Sequence, residues 1–216
     1  MIWTVAQSQI DSCRRCEDAG VAYLRVPAGS KRHPPYSPPE GTRIFFVSVA
    51  PPWGGDYFWD ETKPDKVRQG LFTALYRATG ENFSSASDFQ SAGYFLVPGV
   101  KCPSEENNKD HLPHARAVNN CSSHLVAEMR ISRPERILAL GQSAMKAVSK
   151  ALNFKVPPTV RKINGKIWWA NLNEGFVPVA GTYFPGNNRH RSFDSIVDSI
   201  RLILELKPKP LKTDLP

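Results

Sequence analysis

The sequence predicts an α/β fold with a mostly parallel sheet covered by helices on both faces. Three observations carry this. Apolar runs of strand length recur along the chain, segments with helical apolar spacing stand between them, and irregular loops follow several of the runs directly.

The elements fall in order. The first strand is expected over 43–49 (RIFFVSV), breaking into the Pro/Gly/aromatic loop APPWGGDYFWD. A helix follows over 67–79, with Val67, Leu71, Leu75 and Ala78 on one face and Gly80 as its C-cap. The second strand, 93–97 (GYFLV), runs into VKCPSEENNKDH, and a helix beginning near Pro113 places Val118, Cys121, Leu125 and Met129 together. A third strand, 136–140, turns at Gly141 into a helix carrying Ala144, Met145, Val148 and Leu152. Asn164-Gly165 reads as a hairpin turn. A fourth core strand, 176–182, leads into YFPGNNRHRS and a last helix with Phe193, Ile196, Val197, Ile200, Ile203 and Leu204. In a parallel sheet, ligands bind beyond the carboxyl ends of the strands. The loops 50–60, 98–112 and 184–191 are therefore expected to converge on one edge.

The 216 residues suit one large domain, 42–207, preceded by a cysteine-bearing segment, 1–41. Within that segment, residues 27–41 hold five prolines and two glycines and read as a strap packed on the domain. Residues 208–216 read as a flexible tail. No apolar stretch is long enough to span a bilayer, and the start lacks a leader pattern, so a cytoplasmic monomer away from any membrane is expected. The formal charge of +8, from 28 Lys+Arg against 20 Asp+Glu, favours a polyanionic partner, with DNA the expected one.

Cys13, Cys16, Cys102 and Cys121 are too few for a disulfide framework in a chain of this length and point to a metal site. Cys13-Arg-Arg-Cys16 places two thiolates where one short turn chelates. Structural zinc uses such pairs, as iron–sulphur clusters do. The 18 residues between Cys102 and Cys121 depart from zinc-ribbon spacing, whereas a cubane accepts scattered ligands. Four unliganded buried cysteines are the plain alternative.

These segments together resemble the iron–sulphur branch of the uracil-DNA glycosylase superfamily. The resemblance rests on CRRC at 13–16, SVAPPWGGD at 48–56, PGVKCPSEEN at 98–107, Cys121, RPERILALGQSA at 133–144 and GTYFPGNN at 181–188. It covers roughly residues 10–205, in the family's order. It implies a single three-layer α/β/α domain on a central four-stranded parallel sheet. It also implies a structural [4Fe–4S] cluster on the four cysteines, with zinc the alternative.

The activity implied is base excision repair. A deaminated or damaged base, uracil or a related one, is flipped from the duplex and its N-glycosidic bond hydrolysed. The alternative is an iron–sulphur protein of the same fold that binds nucleic acid without cleaving. By the resemblance, Asp56 and Asn107 are catalytic candidates. Ala50, Pro51, Trp53, Gly54, Tyr57, Phe58 and Phe184 would line the base pocket, and Lys101, Asn187, Arg189, His190 and Arg191 would contact DNA. The chain departs from the family at four places. The family's stacking phenylalanine has no clear counterpart, an alignment through Gly70 putting Asp65 there. Phe184 replaces the histidine that donates to the leaving base, Pro98 replaces the asparagine that reads uracil, and Val49 replaces a glutamate.

Overall fold

The computed structural model describes residues 2–24, 32–53, 57–107, 109–186 and 190–210, the side chains of 190–192 excepted. In chain order the elements are α1 (Trp3–Asp11), α2 (Arg15–Asp18), β1 (Ile44–Ser48), α3 (Lys66–Thr79), α4 (Ala86–Ser91) and β2 (Tyr94–Pro98). Then come β3 (Glu105–Glu106), β4 (Lys109–Asp110), α5 (Ala115–Ser132), β5 (Ile137–Leu140) and α6 (Gln142–Ala151). The chain closes with α7 (Val160–Ile163), β6 (Ile167–Leu172), β7 (Gly175–Thr182), α8 (His190–Leu204) and β8 (Lys209–Pro210).

The four expected core strands, β1, β2, β5 and β7, are parallel neighbours in the order β2-β1-β5-β7. Every residue of β1, β2 and β5 is buried, which is why these strands read as unbroken apolar runs and not as alternating ones. Helices cover both faces, giving the three-layer α/β/α architecture.

The sheet is larger than the four parallel strands. β6 adds to β7 antiparallel, and β8 pairs with the start of β7, Gly175 opposite Pro210. There β5 has not yet begun to pair, since its register with β7 starts at Val179. Lys209 and Pro210 are thus part of the sheet, not of a free tail. The hairpin turn is Asn173–Glu174, Asn173 taking a left-handed φ of 56°, rather than Asn164-Gly165. Gly165, with φ 71°, joins α7 to β6. An Asn-Gly pair signals a positive-φ turn, and the turn is present; it lacks a strand on its N-terminal side.

Two features bind the periphery to the sheet. Trp3 of α1 sets its ring edge-on to Phe95 at 5.4 Å, so the N-terminal segment shares the main core. β2 is an edge strand, and Trp59 Nε1 donates to its Leu96 carbonyl at 3.0 Å, covering part of the unpaired edge. α3 begins at an Asp65 N-cap that accepts from the Arg68 amide at 2.6 Å, and it ends at Gly80, φ 81°.

Gly70 of α3 meets the loop after β7 so closely that a Cβ there would lie 2.5 Å from the Pro185 carbonyl oxygen. Alanine at a free helical position gains about 1 kcal/mol over glycine. Here Gly70→Ala should instead lower stability by ~1–3 kcal/mol, because backbone has to move. Thermal unfolding checks the sign; a raised Tm would show that the loop does not press on α3.

Candidate functional site

Parallel pairing aligns the strand ends. Ser48 lies beside Pro98, and Leu140 beside Thr182, so the chain leaves β1, β2, β5 and β7 at one sheet edge. The pairing continues outward: the Gly99 and Val100 amides donate to the Ser48 and Val49 carbonyls at 2.9 and 3.0 Å. Trp53 N donates to Asp110 Oδ1 at 2.5 Å, tying the loop after β1 to β4. Phe184 is half-buried between two glycines. A Cβ on Gly141 would touch its Cβ at 3.5 Å, and one on Gly186 would meet its ring at 2.8 Å. Phe184 therefore forms an apolar wall where the family resemblance places a hydrogen-bond donor.

Several expected site residues sit elsewhere than the sequence reading put them. Phe58 packs edge-on against Trp59, Phe72 and Phe89, inside the aromatic core and not in an open pocket. Arg68 holds this segment down by donating to the carbonyls of Phe58, Asp60 and Lys63 at 2.7, 3.0 and 2.6 Å. Tyr57 is also buried, and its hydroxyl pKa is pushed well up, by burial first and by Glu128 second. Ala50 packs toward Cys16, Val21, Val100 and Cys121. Pro51 is buried and Trp53 half-buried at the edge. Asn107 occupies the exposed turn between β3 and β4 with φ 53°, a conformation asparagine accepts readily. His111 stacks on Tyr23 at 4.0 Å, and His114 caps α5.

The assignments at Gly54, Asp56, Asn187 and Arg189 lie outside the described residues. His190 and Arg191 open α8.

Lys101 is the largest correction. It was expected to touch DNA, yet it is 1% exposed and ion-paired with the fully buried Glu128 of α5. Its ammonium also donates to the Pro98 carbonyl, at the position where the family reads its base. Burial raises the Glu128 pKa and the Lys101 charge opposes that rise. The sequence held a signal for this partner: Glu128 stands seven residues after Cys121 and three after Leu125, on the buried stripe of α5.

Next along the chain, Cys102 enters a small cavity that Cys13, Cys16 and Cys121 also line, together with Arg32, Asn120 and His124. Three N–H groups reach the sulphurs. Arg32 Nη2 lies 3.1 Å from Cys102 Sγ, Asn120 Nδ2 3.3 Å from Cys16 Sγ, and the Lys101 amide 3.5 Å from Cys121 Sγ. Arg32, 6% exposed, is held in place by the carbonyls of Asp11 and Cys13. The Cys16 thiol is lowered to about 6, first by its hydrogen bond with Cys121 and further by Asn120, Arg32 and Arg15. Burial raises Cys102, against the pull of Arg32. The hydrogen bond with Cys16 and burial raise Cys121 in turn, so of these three thiols only Cys16 is drawn toward the thiolate. Among the described residues, no three Cys, His, Asp or Glu side chains converge as the ligands of one ion would.

A parallel α/β/α domain with an open carboxyl edge beside a thiol-lined cavity is the class that fold and site define. Residues 34–199 match the model of the uracil DNA glycosylase superfamily, and the chain belongs to that superfamily. Among characterised relatives, it is 30% identical over 159 residues to a type-5 uracil-DNA glycosylase of Pyrobaculum aerophilum, covering 67% of this chain and 68% of that protein. The match spans all four strand exits and begins after Cys13 and Cys16. Among the described residues no helix is long and apolar enough to cross a membrane.

Breaking a buried ion pair from one side costs about 3–5 kcal/mol, because a charge is stranded. Glu128→Ala should therefore destabilise the protein by that order in urea unfolding. Lys101→Met combined with Glu128→Leu should recover part of the loss. Equal loss in single and double variants would mean that packing, and not charge, holds this position.

Proposed function

We propose that the chain is a DNA glycosylase that flips a deaminated or damaged base, uracil or a related one, and hydrolyses its N-glycosidic bond. One observation carries the reading: the superfamily match spans four strand exits that lie in register along one edge. An edge of this kind holds a base extruded from the stack, flipping being offset by stacking and by phosphate contacts. Asp56, in the loop after β1, is the residue proposed to position water or to stabilise the developing sugar cation. Base selection differs from the family pattern. Pro98 has no side-chain donor and its carbonyl is engaged by Lys101, while Phe184 offers only an apolar wall. Shape and stacking would then select the base.

Those two positions also favour a second reading, a protein that binds nucleic acid without cleaving it. Single-turnover base release decides between the two. The substrates are oligonucleotides carrying uracil, hypoxanthine, xanthine or a thymine mispair. Release of one base, lost in Asp56→Ala, supports the glycosylase. Salt-dependent binding with no release of any base supports the binding protein.

We also propose that Cys13, Cys16, Cys102 and Cys121 hold a structural [4Fe–4S] cluster. The thiol-lined cavity supports this, with N–H donors on three sulphurs and the buried cation Arg32 beside them. When bound, the cluster would tie α2, α5 and the segment after β2 together and take no part in the hydrolysis. Anaerobically purified protein should absorb broadly at about 400 nm and lose the band in Cys121→Ala. A colourless protein with one equivalent of zinc would replace the cluster with a zinc site.

A further inference from the structure

The chain's positive charge is not spread evenly. Residues 142–173 contain six basic side chains (Lys146, Lys150, Lys155, Arg161, Lys162 and Lys166) and no acidic one. All six are exposed, and none takes part in an ion pair among the described residues. Elsewhere many basic residues are occupied within the fold, and the exposed ones outside any ion pair among the described residues, such as Lys63, Lys109, Arg116, Arg130 and Lys207, are scattered along the chain. Lys101 is buried with Glu128, Arg32 serves the thiol cavity, Arg68 holds three loop carbonyls, and Arg136 bonds Glu135 and the Leu206 carbonyl.

The fold fixes this basic segment beside the strand exits. Gln142, the first residue of α6, donates from Nε2 to the Pro157 carbonyl at 3.0 Å. Ile163 is fully buried, and its side chain would stand 2.9 Å from a Cβ on Gly181. Asn164 bridges to Gly181, and its Oδ1 accepts from Thr182 Oγ1 at 3.2 Å and from Ser199 Oγ at 3.4 Å. Arg161, Lys162 and Lys166 are therefore carried on a segment anchored to the last residues of β7, just before the chain turns into the Phe184 wall. At the other end of the edge, β3 and β4 carry Glu105, Glu106 and Asp110 against Lys109.

We propose that Arg161, Lys162 and Lys166 form a phosphate-holding surface that grips duplex DNA on one side of the flipped nucleotide. The inference rests on the reading that this protein acts on DNA. Neighbouring strands are spaced about 4.8 Å apart, so this surface stands roughly 5–10 Å from the exits of β5 and β7. At 3.4 Å per base step, that corresponds to roughly two or three nucleotides beyond the lesion. Exposed, unpaired cations on an anchored segment suit phosphate contact, which positions the duplex without reading its sequence.

Two triple variants of equal charge test it. Arg161→Ala/Lys162→Ala/Lys166→Ala removes the surface. Arg116→Ala/Arg130→Ala/Lys207→Ala removes three exposed cations elsewhere. Equilibrium binding to a duplex is measured as a function of salt concentration. Each lost phosphate contact lowers the slope of log K against log salt by about 0.9. The first variant should lose about 2–3 units of slope and bind at least tenfold more weakly at low salt. The second should stay near the wild type, and the first variant should keep its single-turnover rate at saturating protein. Equal losses in both variants, or none in the first, overturn the surface while leaving the proposed function standing. A wild type with no salt-dependent DNA binding overturns both.

Discussion

Lys101 joins the two halves of the site through a single buried cation. Its ammonium reaches back to the Pro98 carbonyl at the end of β2 and across to Glu128 on α5, while its own amide points at Cys121. The following residue, Cys102, lines the thiol cavity. An unpaired ammonium at 1% exposure would not be tolerated, so Glu128 has to lie where it does, and α5 with it. α5 in turn brings Cys121 to the cavity and packs beside α1, α2 and α6. Strand end, helix position and cysteine cavity are thereby set against one another.

The rest of the edge is built by close backbone approach. Gly70 lets Pro185 rest on α3, and Gly141 and Gly186 make room for Phe184. The wall at Phe184 comes from packing that would resist a shift of its loop. With Pro98 engaged at its carbonyl, the site presents shape and apolar surface at two positions where the family presents side-chain donors. Under the proposed glycosylase reading, such a site would discriminate by fit more than by hydrogen-bond pattern, and such discrimination is weaker.

Charge follows the same division of labour. Buried arginines and Lys101 hold loops and sulphurs, while α6, α7 and the segment leading into β6 carry six exposed, unpaired cations with no acidic residue among them. A chain with net +8 can thus present one strongly basic flank, which would orient a polyanion as well as attract it.

The four parallel strands, their order in the chain and the long helices α3, α5, α6 and α8 were legible from residues alone. Apolar runs and helical spacing are local patterns, and burial reads them out directly. The β6–β7 turn, the pairing of Lys209–Pro210, the core position of Phe58 and the burial of Lys101 were not legible. Each depends on what an element meets across space: β6 needed β7 beside it, and Pro210 needed the gap before β5 begins to pair. Phe58 needed Phe72 and Phe89 from α3 and α4, and Lys101 needed a carboxylate 27 residues away on another element. Local pattern determined which segments are strands and which are helices, because those follow from the chain's own periodicity. Only the tertiary structure decided which loop side chains face the site and which cations remain free for a partner, because desolvation and pairing are properties of neighbours.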